Sequence, residues 1–303
     1  MSDLMELLDM MRPGNCAMAA MGVFIGALIA LGGLHGMFTA GFVMAIIAVF
    51  AITGAGNAVN DFFDTDADKM NRPQRPIPSG AVSKRTALMF TLLLFALGNF
   101  CAMTISWFCF ALALANSGLL VLYSWSLQHK IFVGNITVGY LSGSVFLFGA
   151  AVFFNDKLWV ALVLASLAML VSISREVVKD MEDIEGDRKS FMKRIASRKA
   201  KKRGERFSLT EEGANLKYGE KRMIVIAIFC LVMAMALSAM PHYYAFMGPS
   251  YVLVVLAADA VFVWCIYSLL REERKKKGYA RISKRLKIGM FIAMLAFMAG
   301  VMI

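Results

Sequence analysis

Four aspartates fall within eight residues, Asp61, Asp64, Asp66 and Asp68, directly after Asn60 and just ahead of Arg72 and Arg75. Carboxylates crowded in this way repel one another unless a cation sits among them. If a helix runs through the segment, Asn60, Asp64 and Asp68 recur every fourth residue and share one face, with Asp61 beside it. Hard oxygen ligands that leave coordination sites open to water and phosphate oxygens are what Mg2+ prefers. A second stretch, SREVVKDMEDIEGDRKS, repeats the arrangement, with Glu176, Asp180, Asp183 and Asp187 at helical spacing. Neither stretch follows the twelve-residue calcium loop with its central glycine and terminal glutamate. Arg72 and Arg75 suit an anionic ligand bearing phosphate, because guanidinium binds phosphate oxygens in a bidentate way. Charge balance for the aspartates is the plainer alternative for each.

The elements that must position these residues are membrane helices. The chain has 303 residues, 59% hydrophobic and only 17% charged, with a mean hydropathy of +0.65. A water-soluble domain is excluded. Apolar blocks recur near 15–34, 38–60, 86–105, 107–127, 131–154, 158–178, 222–240, 248–270 and 286–303. Each has about the 20 residues that a helix needs to cross a bilayer core of roughly 30 Å. The expected fold is all-α, with nine transmembrane helices around a central cavity, forming one domain over residues 1–303. Each acidic segment leaves the second helix of a four-helix set, in the connections 61–85 and 179–221. Two four-helix half-repeats plus a ninth helix describe this pattern. The opening MSDLMELLDMMRPGN has no signal-peptide character and reads as an interfacial helix.

Charge orients the chain. Thirty of the 32 lysines and arginines lie before the first span or in alternate connections, the same ones that carry the acidic segments. By the positive-inside rule the N-terminus and both acidic segments face the cytosol and the C-terminus lies outside. The runs Lys199 to Arg206 and Arg271 to Lys277 then contact anionic lipid headgroups, and nucleic acid is not expected as a partner. Five cysteines and three histidines are scattered singly, so a zinc site or a histidine triad is not expected. Asp259 is a lone carboxylate deep within a span. A cation-coupled transporter is the competing class, but its carboxylates belong near mid-bilayer rather than at helix ends.

NDFFDTDAD followed by NRPQRPIPSG, together with REVVKDMEDIEGD and an RPGN before the first span, resembles the UbiA superfamily of intramembrane prenyltransferases. The similarity covers most of the chain. The family's N-D-x-x-D-x-x-x-D motif falls on Asn60, Asp61, Asp64 and Asp68. Its D-x-x-x-D motif falls on Asp183 and Asp187, with Asp180 just before. Within the superfamily, NRPQRPIPSG paired with REVVKDMED is most similar to members that make the second ether bond of archaeal membrane lipids. Chlorophyll-forming members share the first phrase more than the second, and an aromatic or chlorophyll-type acceptor is the alternative. One departure is the long basic stretch Arg188 to Arg222, where such members continue into a short Thr-Leu-Pro segment.

The resemblance implies a reaction and roles. A geranylgeranyl group would pass from geranylgeranyl diphosphate to geranylgeranylglyceryl phosphate, with two Mg2+ ions held by Asn60, Asp64, Asp68, Asp183 and Asp187. Asp61 and Asp180 are the two candidates for the base that takes the hydroxyl proton. Arg12, Asn15, Arg72, Arg75 and Lys130 are candidates for phosphate or diphosphate binding. Tyr123 and Tyr140 are candidates for steadying an allylic cation. The implied partners are the prenyl diphosphate, a lipid-phosphate acceptor and membrane lipids.

Overall fold

The computed structural model describes the backbone of residues 2–153, 158–199, 209–244, 247–271 and 276–302. Side chains are described for these except residues 2, 3, 67, 70, 71, 129, 131, 183–199, 209–219, 276 and 302. Every regular element is helical. A short amphipathic α1 (Ser2–Met11) leads into α2 (Pro13–Leu31), followed by α3 (Ala40–Phe63), the brief α4 (Thr65–Asn71), α5 (Lys84–Ile105) and α6 (Trp107–Trp125). A 3-10 turn (Leu127–His129) joins these to α7 (Ile131–Ala151), α8 (Leu158–Lys199), α9 (Leu209–Ser238), the short α10 (Met240–Tyr243), α11 (Pro249–Leu270) and α12 (Lys276–Met302).

The helix ends follow local chemistry. Thr39, Ser83 and Ser106 each accept a backbone N–H in the first turn of α3, α5 and α6. Pro13 and Pro249 open α2 and α11, where a missing N–H costs nothing. Gly32 ends α2 with φ 73°, a left-handed turn that suits glycine. Amide groups within the spans donate across helices, Asn99 Nδ2 to Ser117 Oγ and Asn116 Nδ2 to Ser144 Oγ, each at 3.0 Å.

Among the described residues, eight helices are long and apolar enough to cross a membrane. The ninth expected span is the apolar second half of α12. The first half of that helix carries Arg281, Lys284, Arg285 and Lys287, so the helix differs in character from the other eight. Two four-helix sets, α2–α3–α5–α6 and α7–α8–α9–α11, meet where α2 packs on α7, and α12 closes the bundle against α11, α8 and α2. The α2–α7 contact depends on glycine: a methyl group on Gly26 would overlap the Phe146 carbonyl, and one on Gly149 the Val23 carbonyl. The second acidic segment lies on a helix rather than a loop, because α8 continues past the expected end at 178 to Lys199.

Candidate active site

α3 stops at Phe63 and α4 starts at Thr65, leaving Asp64 between them at φ −82°, ψ 2°. The continuous helix expected from spacing is therefore interrupted, although the Asp64 N–H still donates to the Asn60 carbonyl (2.9 Å) and the Asp68 N–H to the Asp64 carbonyl (2.8 Å). The residues expected to share a face divide into two groups. Asn60 Nδ2 donates to Gln128 Oε1 (3.0 Å), and Gln128 Nε2 donates to Asp64 Oδ1 (2.8 Å). Asp68 instead accepts from Arg75 Nη1 at 2.6 Å.

The same Arg75 nitrogen donates to Asp61 Oδ1 at 2.9 Å, and Arg12 Nη2 reaches that oxygen at 2.5 Å. Asp61 and Asp68 are both buried. Arg12, Asp61, Arg75 and Asp68 thus form a chain of two cations and two anions, buried at the aspartates and half-buried at Arg12. Arg12 takes the left-handed φ of 52° in the turn between α1 and α2, a strained position for a residue with a Cβ. Its ion pair with Asp61 ties that turn to α3. A second tie is Asn57, whose Nδ2 donates to the Met11 carbonyl at 2.8 Å and whose Oδ1 lies 3.5 Å from Asn15 Nδ2.

Three of the candidate residues are thus engaged with one another: one oxygen of Asp61, a candidate base, accepts from two guanidinium groups, and Arg12 and Arg75, candidate phosphate ligands, pair with Asp61 and Asp68. Arg72 is exposed at the end of α4, and Lys130 is exposed at the start of α7.

The second acidic segment is arranged differently. Asp180 Oδ2 accepts from Asn135 Nδ2 on α7 at 2.8 Å. Glu176 pairs with Arg175 at 2.6 Å and lies 3.6 Å from Lys179. The side chains of Asp183 and Asp187 lie outside the described residues. Exposed Asp66 pairs with Lys69 at 3.0 Å, and that hydrogen bond and charge hold its carboxyl below the ordinary aspartate range.

Beneath these residues lies a cavity of about 620 Å³, largely apolar, running between the two half-repeats. Asn15, Asn57, Tyr123, Arg175 and Glu176 line its acidic end, while Ser238, Asp259 and Phe297 line its far part. Asp180 stands one helical turn beyond Glu176, and Asp64 two turns beyond Asn57, so both mark the mouth rather than the walls. Tyr123 lines the cavity, as does Glu176, and lies within electrostatic reach of Asp64, Glu176 and Asp180. Tyr140 is not part of the lining, although Val138, Leu141, Ser142, Ser144 and Val145 of the same helix are. Asp259 accepts from Ser238 Oγ at 3.2 Å, as a hydrogen-bonded residue of the wall.

Among the described residues, no three carboxylates converge on one point. The oxygen donors stand in two groups, Asn60 with Asp64 and Glu176 with Asp180. A donor set that is all oxygen and incomplete on each side fits Mg2+, whose remaining sites are filled by water and phosphate oxygens. Sequence reasoning missed Gln128 and Asn135. Both are neutral amides and carry no charge pattern, although an asparagine inside the apolar α7 is itself a signal.

The chain matches the UbiA prenyltransferase family over residues 19–295. A digeranylgeranylglyceryl phosphate synthase from Methanosarcina mazei is 39% identical, covering 97% of this chain and 97% of that protein. One from Methanopyrus kandleri is 37% identical, covering 97% of this chain and 98% of its own length. A solved chain described with digeranylgeranylglyceryl phosphate synthase in membranes superposes with a TM-score of 0.80 at 32% identity, over 99% of both chains. A UbiA homologue from Archaeoglobus fulgidus bound to DMAPP and Mg2+ shares the fold, with a TM-score of 0.66 at 15% identity over 95% of this chain and 99% of that one. With its multiple apolar helices, its paired acidic segments and these relatives, the chain belongs to the UbiA prenyltransferase family and is a multi-pass membrane enzyme.

Proposed function

We propose that the protein transfers a geranylgeranyl group from geranylgeranyl diphosphate to geranylgeranylglyceryl phosphate, forming an ether bond of archaeal membrane lipid. The carrying observation is the mouth of the cavity, where Asp64, held by Gln128, and Asp180, held by Asn135, stand above a largely apolar chamber lined by Tyr123 and Glu176. The relatives named digeranylgeranylglyceryl phosphate synthase support this choice of substrates. The mouth and the N-terminus face the cytosol in this reading, as the distribution of basic residues supports.

Asn60, Asp64 and Glu176, with Asp183 and Asp187, would hold Mg2+. When bound, the metal neutralises the diphosphate and makes it a better leaving group. The protein's own groups do the rest. The apolar cavity takes the prenyl chain and excludes water from the reacting carbon. The ring of Tyr123 faces the region where allylic positive charge develops, an interaction worth about 0.5 to 2 kcal/mol. The acceptor oxygen bonds to C1 of the prenyl chain as the bond from C1 to the diphosphate oxygen breaks, and the diphosphate departs with the electron pair. The hydroxyl proton passes to a carboxylate. We assign that role to Asp180, whose orientation Asn135 fixes, because Asp61 is engaged by two arginines.

The test is turnover by purified protein with Mg2+, geranylgeranyl diphosphate and a panel of acceptors, read by mass spectrometry and diphosphate release. The expected product is digeranylgeranylglyceryl phosphate. An aromatic acceptor turned over faster than geranylgeranylglyceryl phosphate would overturn the substrate assignment while keeping the reaction type.

A further inference from the structure

Arg12 and Arg75 are paired with Asp61 and Asp68, and Arg72 and Lys130 are exposed outside the lining of the cavity. A lipid-phosphate acceptor, as proposed above, needs cations at the cavity itself. Two line the cavity: Arg175 on α8 and Lys287 on α12, two helices packed against each other. Arg175 gives one nitrogen to Glu176, and its buried Nε has no hydrogen-bond partner. Lys287 makes no ion pair with any described residue.

The position of Lys287 is informative. It is exposed and yet borders the cavity, as do Met18 and Met21 on α2 and Phe291 on α12. Side chains that meet both the outer surface and the chamber define an opening, here between α2 and α12. Two residues earlier, Arg285 donates to Ser268 near the end of α11 (3.1 Å) and stacks 3.8 Å over the Trp264 ring. Lys287 thus lies about half a turn deeper than the last polar contacts of α11, on the rim of a passage between lipid and cavity. An ammonium group there calls for an anion.

We infer that Lys287 and Arg175 form the phosphate subsite for the lipid acceptor, a phosphate monoester on a prenylated glycerol that enters between α2 and α12. Lys287 meets the phosphate at the rim, and Arg175, with a donor free, holds it inside. In the acceptor the reacting hydroxyl sits on the carbon next to the one that carries the phosphate. A phosphate on Arg175 therefore brings that hydroxyl beside Glu176 and the mouth, where C1 of the donor lies. The rest of the acceptor's chain extends back through the opening.

Steady-state kinetics of the full-length enzyme in nanodiscs test this. Lys287→Gln is expected to raise KM for geranylgeranylglyceryl phosphate about tenfold, the scale of a lost charge-assisted contact. KM for geranylgeranyl diphosphate, and the inhibition constant of phosphate-free geranylgeranylglycerol, should each move less than about twofold. Lys287→Arg should restore most of the affinity. Lys284→Gln, one turn away and outside the cavity lining, should leave KM unchanged. Equal losses for the phosphorylated and phosphate-free ligands, or no loss at all, would overturn the subsite. A loss that vanishes when anionic lipid is replaced by phosphatidylcholine would assign Lys287 to bulk headgroups and overturn it too. The wild type tests the underlying reading on its own: if it does not use the phosphorylated acceptor, that reading fails and the subsite with it.

Discussion

The two acidic segments are near matches in sequence pattern but differ in how their carboxylates are engaged: arginines from distant turns pair with the first, while Arg175 and Lys179 of the same helix pair with Glu176 in the second. In the first, Asp61 and Asp68 are buried against Arg12 and Arg75, leaving Asp64, steered by Gln128, as the carboxylate nearest the mouth. In the second, Glu176 and Asp180 are carried on an uninterrupted α8, and Glu176 opens directly into the cavity. A run of aspartates therefore mixes two jobs. Some pair with Arg12 and Arg75 beside the turn into the first span, and others, in the proposed reading, meet the substrate. The difference teaches that charge count overstates the ligand set of the first segment and that pairing partners decide which carboxylate remains available.

The sharpest way to break this comparison is to remove one carboxylate of each kind. Asp64→Ala is expected to lower kcat by about a thousandfold, the scale of deleting a group that stabilises developing charge, with little change in thermal stability. Diphosphate release and a melting curve on the same preparation would check both halves. A variant as active as wild type would mean that Asp64 is no ligand. Arg75→Ala should act the other way round. It leaves buried Asp61 and Asp68 short of a partner, which is expected to cost about 3 kcal/mol of stability. The expected readout is a lowered melting temperature, and an unchanged one would show that the network around Asp61 contributes nothing to folding.

Much of the fold was legible because bilayer thickness sets a length that apolar blocks must match, and α2, α3, α5, α6, α7 and α11 lie close to the expected spans. The course of α8 beyond 178 was also open to reading, since the stretch up to Lys199 has no proline and a single glycine, Gly186. The break at Asp64 was not. Its i to i−4 hydrogen bonds persist, so spacing alone gives the same pattern for a continuous and an interrupted helix. The separation of Tyr123 from Tyr140 depends on the rotation of α7 about its axis, which packing against α2 and α8 sets. The partners of Asp61 were equally hidden. Arg12 reaches it only because the α1–α2 turn adopts a left-handed residue, a choice that composition does not announce.

Gln128 offers a finer test, because it holds Asp64 without carrying charge. Gln128→Ala frees both Asn60 and Asp64, and a positioning role predicts a fall of about tenfold in apparent Mg2+ affinity, seen as a shifted metal titration. An equal fall in kcat at saturating Mg2+ would instead place Gln128 in contact with substrate.

The smallest expected effect belongs to Lys69, whose partner Asp66 belongs to the same acidic run but points into solvent. An exposed pair gains little from its ion contact, since water and salt screen it. Lys69→Ala should therefore keep kcat and KM within about twofold of wild type, while Asp66 titrates nearer the ordinary aspartate range. If activity fell as it does for Asp64→Ala, the division of the first segment into anchors, one site carboxylate and a solvent-facing bystander would be wrong, because Asp66 would then have to turn toward the mouth when substrate binds.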